Sequence, residues 1–267
     1  MAISPSYDVR PAERLVIRTL DEAGIPALLV RPEGTGPWPA VVVQHGYGPV
    51  DKSSVLPLAV YLAERGFMAL LPDAWGHGER FPAAGPNWMT DISADYFMDV
   101  LRHTADEMRH ALDTLAARDD TRRDALLVAG FSMGAMAALL VGTEDPRVAG
   151  VISASGSAAP DLLGITIMGS RPAGEAARAW AVAHDAAGRL DRLAPRPLLL
   201  QHGRADDFVP VANTLRLYDA AQPLYTARPD HLALMLYDHA HEVTQRQIED
   251  AVEWLVQRFT PELRQTA

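Results

Sequence analysis

The sequence predicts an α/β fold, a mostly parallel sheet with helices on both faces, on three observations. Short, near-continuous apolar runs recur along the chain, helix-period segments lie between most of them, and the composition is that of an ordinary globular domain, 48% hydrophobic and 22% charged over 267 residues. Strands that are apolar throughout need cover on both faces, and a helix crossing between parallel strands supplies it. No low-complexity linker divides the chain, so residues 1–267 are expected to form a single domain.

The start, with Ser4, Pro5, Asp8, Arg10 and Glu13, holds no apolar run of signal-peptide length. Residues 15–19 and 25–30, split by the turn-prone stretch 21–24, predict an antiparallel hairpin at the sheet edge. Buried strands are expected at 40–43, 67–71, 125–129, 148–152, 197–200 and 232–237. Helices are expected near 54–65, 133–143, 211–219 and 244–259, the last ending before Pro261. The clearest helix spans about 91–116, where Phe97, Leu101, Ala105, Met108, Leu112 and Leu115 recur at three- and four-residue steps and mark one buried stripe. One connection breaks the rhythm: 43 residues separate Ser153 from Pro197, where a crossover helix needs about a dozen. Leu162, Leu163, Ile165, Ile167, Met168 and Trp180 make it too apolar for disorder, so 157–193 is expected to form a small helical cap over the active-site edge.

Composition removes several functions. A formal charge of −10 gives no drive toward phosphate backbones or anionic membranes, so neither nucleic acid nor membrane is an expected partner. No stretch approaches the roughly 20 apolar residues that span a bilayer, and the expected location is cytoplasmic. With no cysteine, disulfides, thiolate metal sites and a cysteine nucleophile are excluded.

The chemistry gathers where the strands end. Gly130-Phe131-Ser132-Met133-Gly134 follows a strand and opens a helix, a tight turn that pushes the Ser132 hydroxyl out of the sheet at a positive helix terminus. A serine needs a base, and the base needs an orienting acid. The loop after the strand at 197–200 offers Asp206, with Asp207 competing; both could instead cap the next helix. The loop after 232–237 offers His241 and His239, which spacing alone does not separate. That His-x-His pair would also suit a metal, but no further ligand set accompanies it, so no metal and no other cofactor is expected. The backbone N–H groups of Met133 and Tyr47 are the candidate oxyanion donors. His45 and His77 are read as loop-orienting, and His103, His110, His184 and His231 as solvated or packed side chains. Trp75, Phe81, Trp88, Phe131, Met168 and Trp180 are candidates for an apolar substrate pocket or for ordinary core.

Five segments together resemble the dienelactone-hydrolase-related esterase group of the α/β-hydrolases. They are His45-Gly46-Tyr47-Gly48, the run Leu71-Pro72-Asp73-Ala74-Trp75-Gly76-His77-Gly78-Glu79-Arg80, the Ser132 turn, His202-Gly203-x-x-Asp206-x-x-Val209-Pro210, and His241-Glu242-Val243-Thr244 leading to Glu253-Trp254-Leu255. The resemblance implies an α/β-hydrolase fold and a serine esterase with Ser132, Asp206 and His241 as its triad. It favours Asp206 over Asp207 and His241 over His239. The chain departs from true dienelactone hydrolases in carrying Ser132 where they carry cysteine. The expected partner is a small-molecule ester with a short to medium acyl group, and no oligomeric state is implied. An amidase, peptidase or perhydrolase could use the same residues, and a non-catalytic ligand-binding protein could keep the fold.

Overall fold

The computed structural model describes residues 14–81, 93–158 and 173–260. Eight strands form one sheet: β1 Leu15–Glu22, β2 Ile25–Pro32, β3 Trp38–Gln44, β4 Met68–Pro72, β5 Thr121–Phe131, β6 Val148–Ala154, β7 Leu198–Gly203 and β8 Leu232–Tyr237. Their spatial order is β1-β2-β4-β3-β5-β6-β7-β8. β1 and β2 run antiparallel to their neighbours and every later pairing is parallel. The edge hairpin closes through Ala23 and Gly24, both with positive φ (56° and 79°), a two-residue turn whose twist matches paired strands.

Seven α-helices are described: α1 Leu56–Glu64, α2 Ala94–Ala116, α3 Met133–Glu144, α4 Glu175–Ala183, α5 Leu190–Leu193, α6 Val211–Ala221 and α7 Gln245–Phe259. Strand alternation sorts the core into two layers. Ala40 and Val42 of β3 and Leu126 and Val128 of β5 pack with α2 and α3, while Val41, Val43, Leu127 and Ala129 pack with α1 and α7. The stripe expected on the long helix is buried at all six positions, and the helix starts at Ala94, where the Ser93 hydroxyl accepts the Tyr96 N–H.

The expected cap lies partly outside the described residues, which omit 159–172. Its described remainder forms α4 and α5, and Trp180, Ala181, Leu190 and Leu193 join the core layer of α2 and α3. Among the described residues no helix is long and apolar enough to cross a membrane.

Candidate active site

β5 ends in a turn that only certain residues can make. Ser132 has φ 55° and ψ −119°, a left-handed backbone held by its N–H donating to the Ala154 carbonyl at 2.8 Å. The strain buys access: it lifts the hydroxyl above the strand ends at the start of α3. Asp206 comes from the loop after β7 and His241 from the loop after β8, so three parallel strands that lie side by side or nearly so deliver the three side chains to one edge.

His241 Nε2 stands 2.9 Å from Ser132 Oγ, and its Nδ1 stands 2.7 Å from Asp206 Oδ2. A carboxylate oxygen only accepts, so Nδ1 carries the proton and Nε2 turns its lone pair to the hydroxyl. The ring contacts Phe131 and Phe208, at centroid distances of 4.9 and 5.1 Å. Asp206 is buried, and its Oδ1 accepts the N–H groups of Phe208 (3.1 Å) and Val209 (2.8 Å). Burial pushes its carboxyl upward, but donors on His202, His241 and Val209 outweigh that and hold it well below the usual carboxylate range. Asp207 is exposed on the cavity rim, and His239 stacks on Tyr237 with Nδ1 against the Ala240 carbonyl at 2.8 Å. The structure thus brings together Ser132, Asp206 and His241, and neither neighbour.

The amide of Met133, first residue of α3, has no acceptor within the helix. The Gly46-Tyr47 loop runs alongside: a Cβ placed on Gly46 would fall 3.4 Å from Ser132 Cβ. Two buried imidazoles shape that loop. His45 Nδ1 donates to the Gly46 carbonyl (2.7 Å) while Nε2 accepts the Ala74 N–H (2.9 Å). His77 Nδ1 donates to the Trp75 carbonyl (2.8 Å) while Nε2 accepts the Gly48 N–H (3.3 Å). Each ring is fixed as a neutral donor and acceptor, and burial lowers both pKa values, His77 to about 4. Behind them, buried Asp73 accepts the Lys52 ammonium at 2.8 Å and the Lys52 and Glu79 amides at 2.9 and 3.2 Å.

A cavity of about 690 Å³ opens beside Ser132 and His241, between α1 and α7. Val43, Val55, Leu58, Ile152 and Ile248 line its depth, and Val50, Phe208 and Val243 form an apolar rim. Of the expected pocket residues, Phe131 is in its wall. Trp75 instead stacks on His103 at 4.7 Å and Trp180 on His184 at 4.8 Å, away from the cavity, and Met168 lies outside the described residues. The walls from α1 and α7 are absent from the sequence expectation, because helix periodicity marks an apolar face without saying whether it meets core or a void. Among the described residues no group of three or more His, Asp or Glu side chains is placed to hold a metal.

The dienelactone hydrolase family model matches residues 25–253. The chain is 32% identical over 215 residues to Esterase YjfP of Escherichia coli (strain K12), covering 76% of this chain and 84% of that one. TT1662 from Thermus thermophilus superposes with TM-score 0.77 at 29% identity, over 91% of this chain and 98% of that one. The alpha/beta hydrolase GrgF from Penicillium sp. sh18, at 14% identity and TM-score 0.65 over 92% of this chain and 99% of that one, shares the fold.

Proposed function

The chain belongs to the dienelactone hydrolase family, and from that premise we propose that it is a serine esterase cleaving short to medium acyl esters through an acyl-enzyme. The observation that carries this reading is the unbroken chain from Ser132 Oγ to His241 Nε2 (2.9 Å) and from His241 Nδ1 to Asp206 Oδ2 (2.7 Å). His241 takes the hydroxyl proton as Oγ attacks the ester carbonyl, and the amides of Met133 and Tyr47 hold the oxyanion. The imidazolium then gives its proton to the departing alcohol oxygen. A water, deprotonated by the same ring, attacks the acyl carbonyl, and the proton returns to Oγ as the acid leaves. Asp206 keeps His241 in the working tautomer and stabilises its cation.

The substrate class follows from the cavity. Its depth is mostly apolar, with the buried amides of Gln201 and Gln247 among its lining, and among the described lining residues there is no lysine or arginine to meet a carboxylate, while Asp207 sits on the rim. This favours neutral esters over dienelactone-like acids. A volume of about 690 Å³, shared with open solvent at the mouth, suits a short to medium acyl group.

The test is a p-nitrophenyl ester series with the wild type and Ser132→Ala. The variant is expected to fold and to lose activity by about three orders of magnitude or more. In the wild type, kcat/KM rises from acid toward neutral pH, since only neutral imidazole accepts the proton. Undiminished turnover in Ser132→Ala, or failure of native protein to label with a fluorophosphonate, overturns the reading.

A further inference from the structure

Asp206 has a second histidine. His202, on β7, is fully buried, and its Nε2 lies 3.1 Å from Asp206 Oδ2, the same oxygen that receives His241. Nε2 also lies 2.9 Å from the Val209 carbonyl. Both neighbours are acceptors without a proton to give, so Nε2 must carry one. On the far side of the ring, Nδ1 is 2.7 Å from Thr214 Oγ1, and the same hydroxyl oxygen lies 3.0 Å from the Gly156 carbonyl. The ring is therefore held at its Nδ1 end by Thr214 of α6 and at its Nε2 end by the Val209 carbonyl, with the Asp206 carboxylate oxygen alongside the same nitrogen.

We propose that His202 is a positioning residue whose Nε2–H, shared between the Val209 carbonyl and the carboxylate oxygen used by His241, fixes that oxygen and tempers its pull on the catalytic imidazole. The inference rests on the esterase reading for its kinetic consequence but not for its geometry. Asp206 Oδ1 is fully engaged by the Phe208 and Val209 amides, so Oδ2 alone faces the two rings. Whatever charge Oδ2 shares with His202 is withdrawn from the stabilisation of a cationic His241. Among the described residues, the charged or titratable groups facing this pair are His202 from β7 and His241 from the loop after β8. Asp207, next along the acid's own loop, is exposed, and α6 and the β6 loop contribute Thr214 and Gly156, neither of which titrates.

Two measurements test this. In His202→Phe, Oδ2 keeps one donor, so the acid limb of the kcat/KM profile should move to higher pH by about half a unit or more. His202→Gln, whose amide can still donate, should fall between that variant and the wild type. A merely structural role would lower activity or stability without moving the limb, so a folded His202→Phe with an unmoved limb overturns the proposal. Nitrogen-15 NMR of the wild-type imidazoles is independent of any variant folding. It should find the His202 Nε2 protonated at neutral pH, with a resonance that shifts in Asp206→Asn; an unprotonated Nε2 overturns the proposal even if the variants fail to fold. Loss of the esterase reading would show instead as a wild type without Ser132-dependent turnover, with the NMR result unaffected.

Discussion

A Cβ placed on Gly134 would lie 2.2 Å from the Gln44 carbonyl oxygen, and one on Gly130 would lie 2.2 Å from the Gly134 carbonyl. Both clashes are with backbone, which cannot swing aside as a side chain can, so α3 reaches β3 only because neither residue has a side chain. Gly134→Ala should therefore cost about 1–3 kcal/mol and shift the Ser132 turn away from His241. Thermal melting and kcat on one ester check it, and a variant matching the wild type in both would show that the turn can relax. At this scale Ser132 was legible because its signal is local: two glycines, a strand before and a helix after. Asp206 and His241 were not separable from Asp207 and His239 by spacing, and required resemblance to choose. The reason is visible in the loop path, where the Phe208 and Val209 amides close on Asp206 and leave its neighbour outside.

The loop after β4 is an element-scale device. Asp73 is fully buried, Lys52 nearly so, and Arg80 reaches back to the Asp73 carbonyl while pairing with Glu107 on α2 at 2.6 Å. This knot stands behind the His45 and His77 rings, and through them it sets the course of the Tyr47 loop. Lys52→Met would leave a buried carboxylate with only backbone donors. The cost should be about 2–3 kcal/mol, below that of a fully enclosed pair because water reaches the Lys52 side. Adding Asp73→Asn removes the stranded charge, so the double variant should recover part of the loss. Chemical denaturation of the cycle checks this, and additive losses would refute the coupling. The hairpin, the apolar strands and the α2 stripe were legible because each is a periodicity with its own turn or cap. The segments that form α4 and α5 were legible as helical, but what they pack against was not. Their apolar residues announce burial, but the partner is α2 and α3, a choice made by tertiary packing that no local pattern encodes.

For the whole molecule, acid poses two opposed effects. Lowering the pH relieves the self-repulsion of a chain carrying −10, which favours the compact state. The buried imidazoles act the other way. His77 in the folded protein takes a proton only near pH 4, whereas the unfolded chain takes it near the ordinary histidine value of about 6.5. Between those values the unfolded state binds the extra proton, so stability is complete above about pH 6.5, falls as the pH drops, and levels off below about pH 4. His45, lowered for the same reason of burial, adds in the same direction. The depressed carboxyl of Asp206 acts in a separate window: its contribution is present above the ordinary carboxylate value of about 3.9 and is lost only at lower pH. The His77 contribution over its window is at most about 3 kcal/mol. His77→Gln keeps a donor for the Trp75 carbonyl and an acceptor for the Gly48 amide but cannot titrate. Net-charge relief and Asp206 are common to both proteins, so the difference between their Tm-against-pH curves isolates the ring. The variant should lose less stability than the wild type from pH 7 to about 4 and run parallel to it below. Parallel curves across the whole range would mean that the His77 ring is protonated as readily in the folded protein as in the unfolded chain.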